Sequence, residues 1–193
     1  GELVAPASFG WVEGIDAFPY DPEKARELIA EVGEPAKTKM SLATSPVFDQ
    51  KVVQAIQQML TDVGLNVDIE MTDMGTWLKN QQQSNDQAPM LTFSRWSCAC
   101  QDADGIMFPL LHSSSNWARF SDPELDRMLE EGRSVLDEQA RLDAYANVHT
   151  FVKDEVPIIP LYQAAIIYGG AAGLKWQPTA NESMFLNRMS WAE

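Results

Sequence analysis

A chain of 193 residues with 45% hydrophobic content is long enough and apolar enough for one domain with a genuine core and a short appendage. Its formal net charge of -14, from 28 acidic against 14 basic residues, repels nucleic acid and anionic lipid and argues against either as a primary partner. No apolar run approaches the ~18–20 residues of a membrane-spanning helix.

The chain opens on Gly1 rather than Met and shows no signal-peptide pattern, so a processed product or a fragment of a longer protein is expected, the fragment being favoured. The first clear element is a helix from Asp21 to Gly33. Asp21 suits the N-cap and Pro22 the first helical position, where a missing N–H costs nothing. Ala25, Leu28, Ile29 and Val32 make one apolar stripe, Gly33 suits the left-handed C-terminal turn, and Pro35 blocks resumption. A strand over about Lys39–Thr44 follows. A helix over about Phe48–Val63 comes next, with Phe48, Val52, Ile56, Met59, Leu60 and Val63 on one side and Gly64 at its end. Leu65, Val67, Ile69 and Met71 then alternate with Asn66, Asp68 and Glu70, the period-two pattern of a half-buried strand. A short helix over Thr76–Gln83 and a strand over Met90–Trp96 complete strand–helix–strand spacings that predict right-handed crossovers and a largely parallel sheet.

The second half reads as more helical. Ser121-Asp122-Pro123-Glu124 has the form of a capping box, Ser121 to the Glu124 amide, with Leu125, Met128 and Leu129 on the buried face that follows. A helix over about Glu138–Asp154 carries Leu142, Tyr145, Ala146 and Val152 inward. The run Val156-Pro157-Ile158-Ile159-Pro160-Leu161-Tyr162 contains two prolines, which confine it to a sheet edge or an interdomain crossing. Beyond Gly169-Gly170 the chain is short, irregular and aromatic.

In open α/β sheets ligands bind beyond the carboxyl ends of strands. The strand ending at Trp96 runs into Ser97-Cys98-Ala99-Cys100-Gln101-Asp102, a loop of small and polar residues. Trp96 and Trp77 would supply broad aromatic contact, Arg95 a bidentate partner for a carboxylate, and Asp102 an acceptor for an ammonium group. Trp96, Ser97, Cys98 and Asp102 are expected to line a concave, solvent-open surface, with Trp77 approaching it. Core packing is the alternative for each tryptophan, and an exposed strand position is the alternative for Arg95. A bridge between Cys98 and Cys100 across one residue is geometrically disfavoured, so a disulfide framework is not expected and small buried thiols are.

Taken in order, Tyr20-Asp21-Pro22-Glu23-Lys24-Ala25 through Gly33, Val53–Val63 followed by Gly64-Leu65, Trp96-Ser97 with Asp102-Ala103-Asp104, and Pro157–Tyr162 resemble the C-terminal part of the family-5 extracellular solute-binding proteins. No one of these motifs is specific, and the resemblance rests on their order and spacing. It implies an α/β, periplasmic binding protein-like lobe: a mixed, largely parallel sheet flanked by helices, one lobe of a two-lobed protein. Residues 1–160 would form the second ligand-binding lobe. Residues 161–193 would return to an absent first lobe and leave 164–191 without part of their packing partner. The implied function is the substrate-binding component of an ABC importer, capturing a peptide-like solute outside the cytoplasm. The implied partners are that solute, membrane permease subunits and the protein's own N-terminal lobe. In the family's peptide-binding members an aspartate stands three residues after the loop tryptophan; here that position is Ala99, and the acids come at Asp102 and Asp104. This spacing, followed by Pro109-Leu110-Leu111, is similar to the glutathione-binding branch.

Three other readings are weaker. Cys98, Cys100, Asp102, Asp104 and His112 are metal-donor types in a short span, and a nickel-type or other metal-chelate ligand would fit the same family, but Cys-x-Cys is not zinc spacing. His149 is expected in a core or surface role. A hydrolase would have to use His112 with Ser113, Ser114 and Ser115, adjacent loop residues that rarely face one another, and no Gly-x-Ser-x-Gly elbow is present. A purely structural or interaction domain is the third. No catalytic residue, cofactor or metal is expected.

Overall fold

The computed structural model of the chain describes residues 1–179 and 183–192, so residues 180–182 and 193 of the expected returning segment lie outside the described residues. The chain forms two compact units, one of Phe18–Trp96 and one of Gly1–Ala17 with Ser97–Glu193.

In the unit of Phe18–Trp96 the strands β1 (Met40–Thr44), β2 (Val67–Met71) and β3 (Leu91–Thr92) form a parallel sheet in the order β2-β1-β3. Leu42 lies opposite both Ile69 and Leu91. The linking helices are α2 (Gln50–Asp62) and α3 (Met74–Gln81), as the alternation of periods two and 3.6 predicts. Asp49 caps α2 and Asp73 caps α3, each carboxylate accepting an N–H from the first turn. Leu42, Val53, Val67 and Phe93 make the core, and Phe48, Val52, Ile56, Leu60 and Ile69 pack around it. Truncating Leu42 to Ala removes buried methyl groups at a cost of about 2–5 kcal/mol.

Three features of this unit differ from expectation. The third strand spans two residues rather than Met90–Trp96. Beyond it the Phe93 N–H still donates to the Ala43 carbonyl at 2.9 Å. On α2, Val53 is fully buried whereas Met59 is 53% exposed, so the buried stripe is rotated toward Val53. The first helix, α1 (Pro22–Val32), has the expected ends: Asp21 accepts the Lys24 N–H, and Gly33 takes φ +74°. Its apolar stripe is uncovered, however, with Leu28 and Val32 half exposed.

In the other unit α4 (Asp104–Leu111), α5 (Pro123–Ser134) and α6 (Glu138–Glu155) surround a core that includes Met107, Leu111, Leu125, Leu129, Tyr145 and Val148. The cap of α5 is Asp122, which accepts from the Glu124 and Leu125 N–H groups, rather than Ser121; Pro123 at the first helical position sets that register. α4 was not predicted, because Pro109 sits inside it and masks its period. The N-terminal segment pairs alongside. Phe9 donates to the Gln101 carbonyl and accepts from the Ala103 N–H, both at 2.9 Å. Gly10 follows at φ +85°, so close to Ala103 and the Tyr145 ring that a Cβ would overlap Ala103. Among the described residues beyond Val156 the chain is mostly irregular, with a short antiparallel pair, β4 (Leu174–Lys175) and β5 (Ser190–Trp191), and a single 3-10 turn at Leu186–Arg188.

Candidate functional site

The expected ligand wall draws Trp77, Arg95 and Trp96 from one unit and Ser97, Cys98 and Asp102 from the other. Trp77 is 5% exposed and packs edge-on against Phe48 at 5.2 Å, so it belongs to the core and does not line an open surface. Its indole N–H has no partner among the described residues. Arg95 is exposed and Trp96 half-buried at the end of that unit's chain.

In the loop that follows, Ser97 and Cys100 are exposed and Cys98 is half-buried. Cys98 and Cys100 are joined by a disulfide, which corrects the expectation of free thiols. The bridge is accommodated because α4 begins with its second residue as Gly105. A Cβ there would meet both sulfurs closer than 3.0 Å, so only glycine admits the disulfide against the helix. The Cys100 N–H donates to Cys98 Sγ at 3.2 Å.

Asp102 is held from within its own unit. Arg141 on α6 donates to both carboxylate oxygens, Nη1 to Oδ2 and Nη2 to Oδ1, each at 2.8 Å, and Oδ1 also accepts the Asp104 N–H at 2.9 Å. Burial works to raise the Asp102 carboxyl, but the Arg141 hydrogen bonds, the Asp104 N–H and the Arg141 charge outweigh it and hold the group below the usual carboxylate range. The same guanidinium donates to the Gly132 carbonyl at 2.9 Å and lies over the Phe9 ring at 4.5 Å. Asp102 therefore anchors the loop to α6 and to the N-terminal segment. Arg141 escaped the sequence reading because it is 39 residues away and no local pattern links the two.

His112 and the serines after it do come together. Ser114 Oγ lies 2.8 Å from His112 Nδ1 and the Ser114 N–H donates to the same nitrogen at 3.1 Å. The ring stacks on Phe108 at 4.2 Å and Nε2 lies 3.4 Å from Glu130. The doubled contact to Nδ1 is a turn closing on its own imidazole, and Ser113 is tied separately to Asp126. His149 is buried on α6, with Nε2 3.1 Å from the Gly10 carbonyl; burial holds its pKa below the usual histidine value although that carbonyl opposes the shift. Concave surface also occurs in the C-terminal segment. A cleft of about 250 Å³ is lined by Trp176, Gln177, Pro178, Thr179, Phe185 and Arg188. Among the described residues no helix is long and apolar enough to cross a membrane.

The sequence pattern of the bacterial extracellular solute-binding proteins, family 5 Middle, matches residues 1–118. The "Glutathione-binding protein GsiB" of Salmonella paratyphi A is 30% identical, the match covering 82% of this chain and 33% of that protein. The GsiB of Escherichia coli K12 matches at the same identity and coverage. The chain thus spans about a third of the length of the curated relatives it matches. Among solved structures, the murein tripeptide binding protein MppA of Escherichia coli superposes with a TM-score of 0.79 at 18% identity, covering 98% of this chain and 39% of that one. The periplasmic binding protein DppA of Helicobacter pylori, in complex with the peptide STSA, superposes at 0.71 and 22% identity, covering 79% and 31%. At these identities the superpositions establish the fold.

Proposed function

This chain belongs to the bacterial extracellular solute-binding proteins of family 5, and on that premise we propose that it is part of the solute-capturing component of an ABC importer, specific for a small peptide-like solute. The observation that carries the reading is the continuity of the likeness. Identity of 30% to a glutathione-binding relative runs over 82% of the chain, and the fold of a tripeptide-binding protein fits 98% of it. Small peptides present a carboxylate, an ammonium and amide groups together, and a site for them needs fixed polar partners on more than one side.

Arg95 and Trp96, the last two residues of their unit, are the proposed ligand-facing pair. Arg95 is exposed and fits a carboxylate, and Trp96 offers an aromatic face. Asp102 fixes the loop of its own unit through Arg141, and Trp77, on α3, packs against Phe48 in the core of the unit that ends at Trp96. Residues 161–193 are proposed to pack on the remaining lobe of the whole protein. Ile159, Leu161, Tyr162 and Ile167 are more than half exposed in this chain, which suits a surface that another lobe covers. The whole protein would work outside the cytoplasmic membrane and hand its solute to permease subunits. Uptake of labelled glutathione and tripeptides by cells lacking the gene tests the role. Loss of uptake of at least one of them, restored by the gene, supports it; unchanged uptake of all small peptides contradicts it.

A further inference from the structure

We propose that the Cys98–Cys100 disulfide is a thiol-exchange site, reacting in the folded protein with small thiol-bearing solutes. The inference deepens the peptide-solute reading and rests on it only for the kind of molecule that brings the thiol.

Four observations carry it. First, the bridge closes a loop with a single intervening residue, Ala99, and the entropy a disulfide removes from the unfolded chain shrinks with loop length. It restrains little that the chain does not already restrain, so stapling the fold does not account for it. Second, Cys100 is an exposed residue and Cys98 a half-buried one, so the bridge lies at the surface of its unit rather than in the core. Third, α4 gives up a side chain at Gly105, and this places both sulfurs against the first turn of a helix, where the N-terminal dipole favours a thiolate. Fourth, the neighbouring carboxylates are already compensated. Asp102 is paired with Arg141 at 2.8 Å and Asp104 with Arg133 at 3.1 Å, so neither opposes a developing sulfur anion with an unbalanced charge.

The direction of exchange follows from the same geometry. A solute thiol loses its proton to solvent, and its thiolate attacks Sγ of Cys100, the more exposed residue of the pair, along the S–S axis. The Cys98–Cys100 bond breaks, a bond forms between the solute sulfur and Cys100, and the electron pair leaves on Cys98 Sγ. That sulfur already accepts the Cys100 N–H and is the better leaving group. A second solute thiol attacking the mixed disulfide releases the oxidised solute dimer and leaves two protein thiols, so two solute thiols are oxidised for one protein disulfide reduced.

The test uses the full-length protein, oxidised and folded, incubated without oxygen in excess reduced glutathione, acid-quenched and mapped by peptide mass spectrometry. The expected result is a glutathione adduct on Cys100 while the melting temperature is that of the folded protein. Its rate should rise about tenfold per pH unit below the thiol's pKa, because the thiolate is the attacking species. The Cys100→Ser variant should show no adduct at position 100. An intact disulfide that yields only when denaturant unfolds the protein overturns the proposal, as does an adduct confined to Cys98. S-Methylglutathione, which has no thiol, separates this from the binding reading. If it binds by calorimetry but glutathione leaves the disulfide untouched, exchange is refuted and peptide binding stands. If glutathione exchanges but S-methylglutathione does not bind, exchange stands and the glutathione-like solute does not.

Discussion

Arg141 grips Asp102 through two parallel hydrogen bonds of 2.8 Å, tying the loop that follows Trp96 to a helix 39 residues downstream. The sequence casts Asp102 as a ligand acceptor, yet in the folded chain its carboxylate is already occupied. Asp102→Ala should therefore destabilise the fold by about 1–3 kcal/mol, because it strands a part-buried guanidinium. Full burial would cost more, but the two side chains retain 21% and 26% exposure. Chemical denaturation measures it; an unchanged midpoint would mean that the pair contributes nothing and that Asp102 is available to a ligand.

His149 gives the fold a pH dependence. Burial keeps its folded pKa below 6.5, so the neutral ring is favoured in the folded state and the unfolded chain binds the extra proton. The stability it contributes is complete above about 6.5 and is lost as the pH falls toward the lowered folded value. Asp102 has the same sign in a more acid window, below its ordinary value of 3.8. Melting temperatures across these windows should fall twice. His149→Gln should flatten the upper fall alone; if the slope near pH 6 survives the substitution, another group is responsible.

Gly132, buried on α5, faces the Tyr145 ring, and a Cβ there would come within 2.9 Å of it. Tyr145 is fully buried on α6, its hydroxyl pushed up to about 12 mainly by burial, against the pull of Arg141. Gly132→Ala should cost about 1–3 kcal/mol by overpacking. Pairing it with Tyr145→Phe should not relieve the loss, since the ring and not the hydroxyl is in the way. Full rescue by phenylalanine in a double-mutant cycle would contradict this packing.

Local chemistry made much of the fold legible. Asp21, Pro22 and Gly33 bound α1, and the alternation from Leu65 to Met71 yields β2, because caps and pleats are decided by neighbours in sequence. Legibility ended where long-range partners decide. Nothing near Asp102 announces Arg141, nothing near Cys98 shows that Gly105 makes room for a bridge, and Trp77 could be placed in the core only once Phe48 was seen against it. The Asp122 cap was misread by one residue for a simpler reason: adjacent serine and aspartate both cap well, and Pro123 decides between them.

Under the proposed reading this chain carries only part of a peptide-solute site, the rest lying on another lobe of the whole protein. Calorimetric titration of glutathione, di- and tripeptides into the full-length protein and into this chain alone tests it most directly. One wall leaves the solute half solvated and without its second set of polar partners, so the chain alone should show no tight binding. The full-length protein should bind at least one of these solutes. Submicromolar binding by the isolated chain, or none by the full-length protein, would contradict the account.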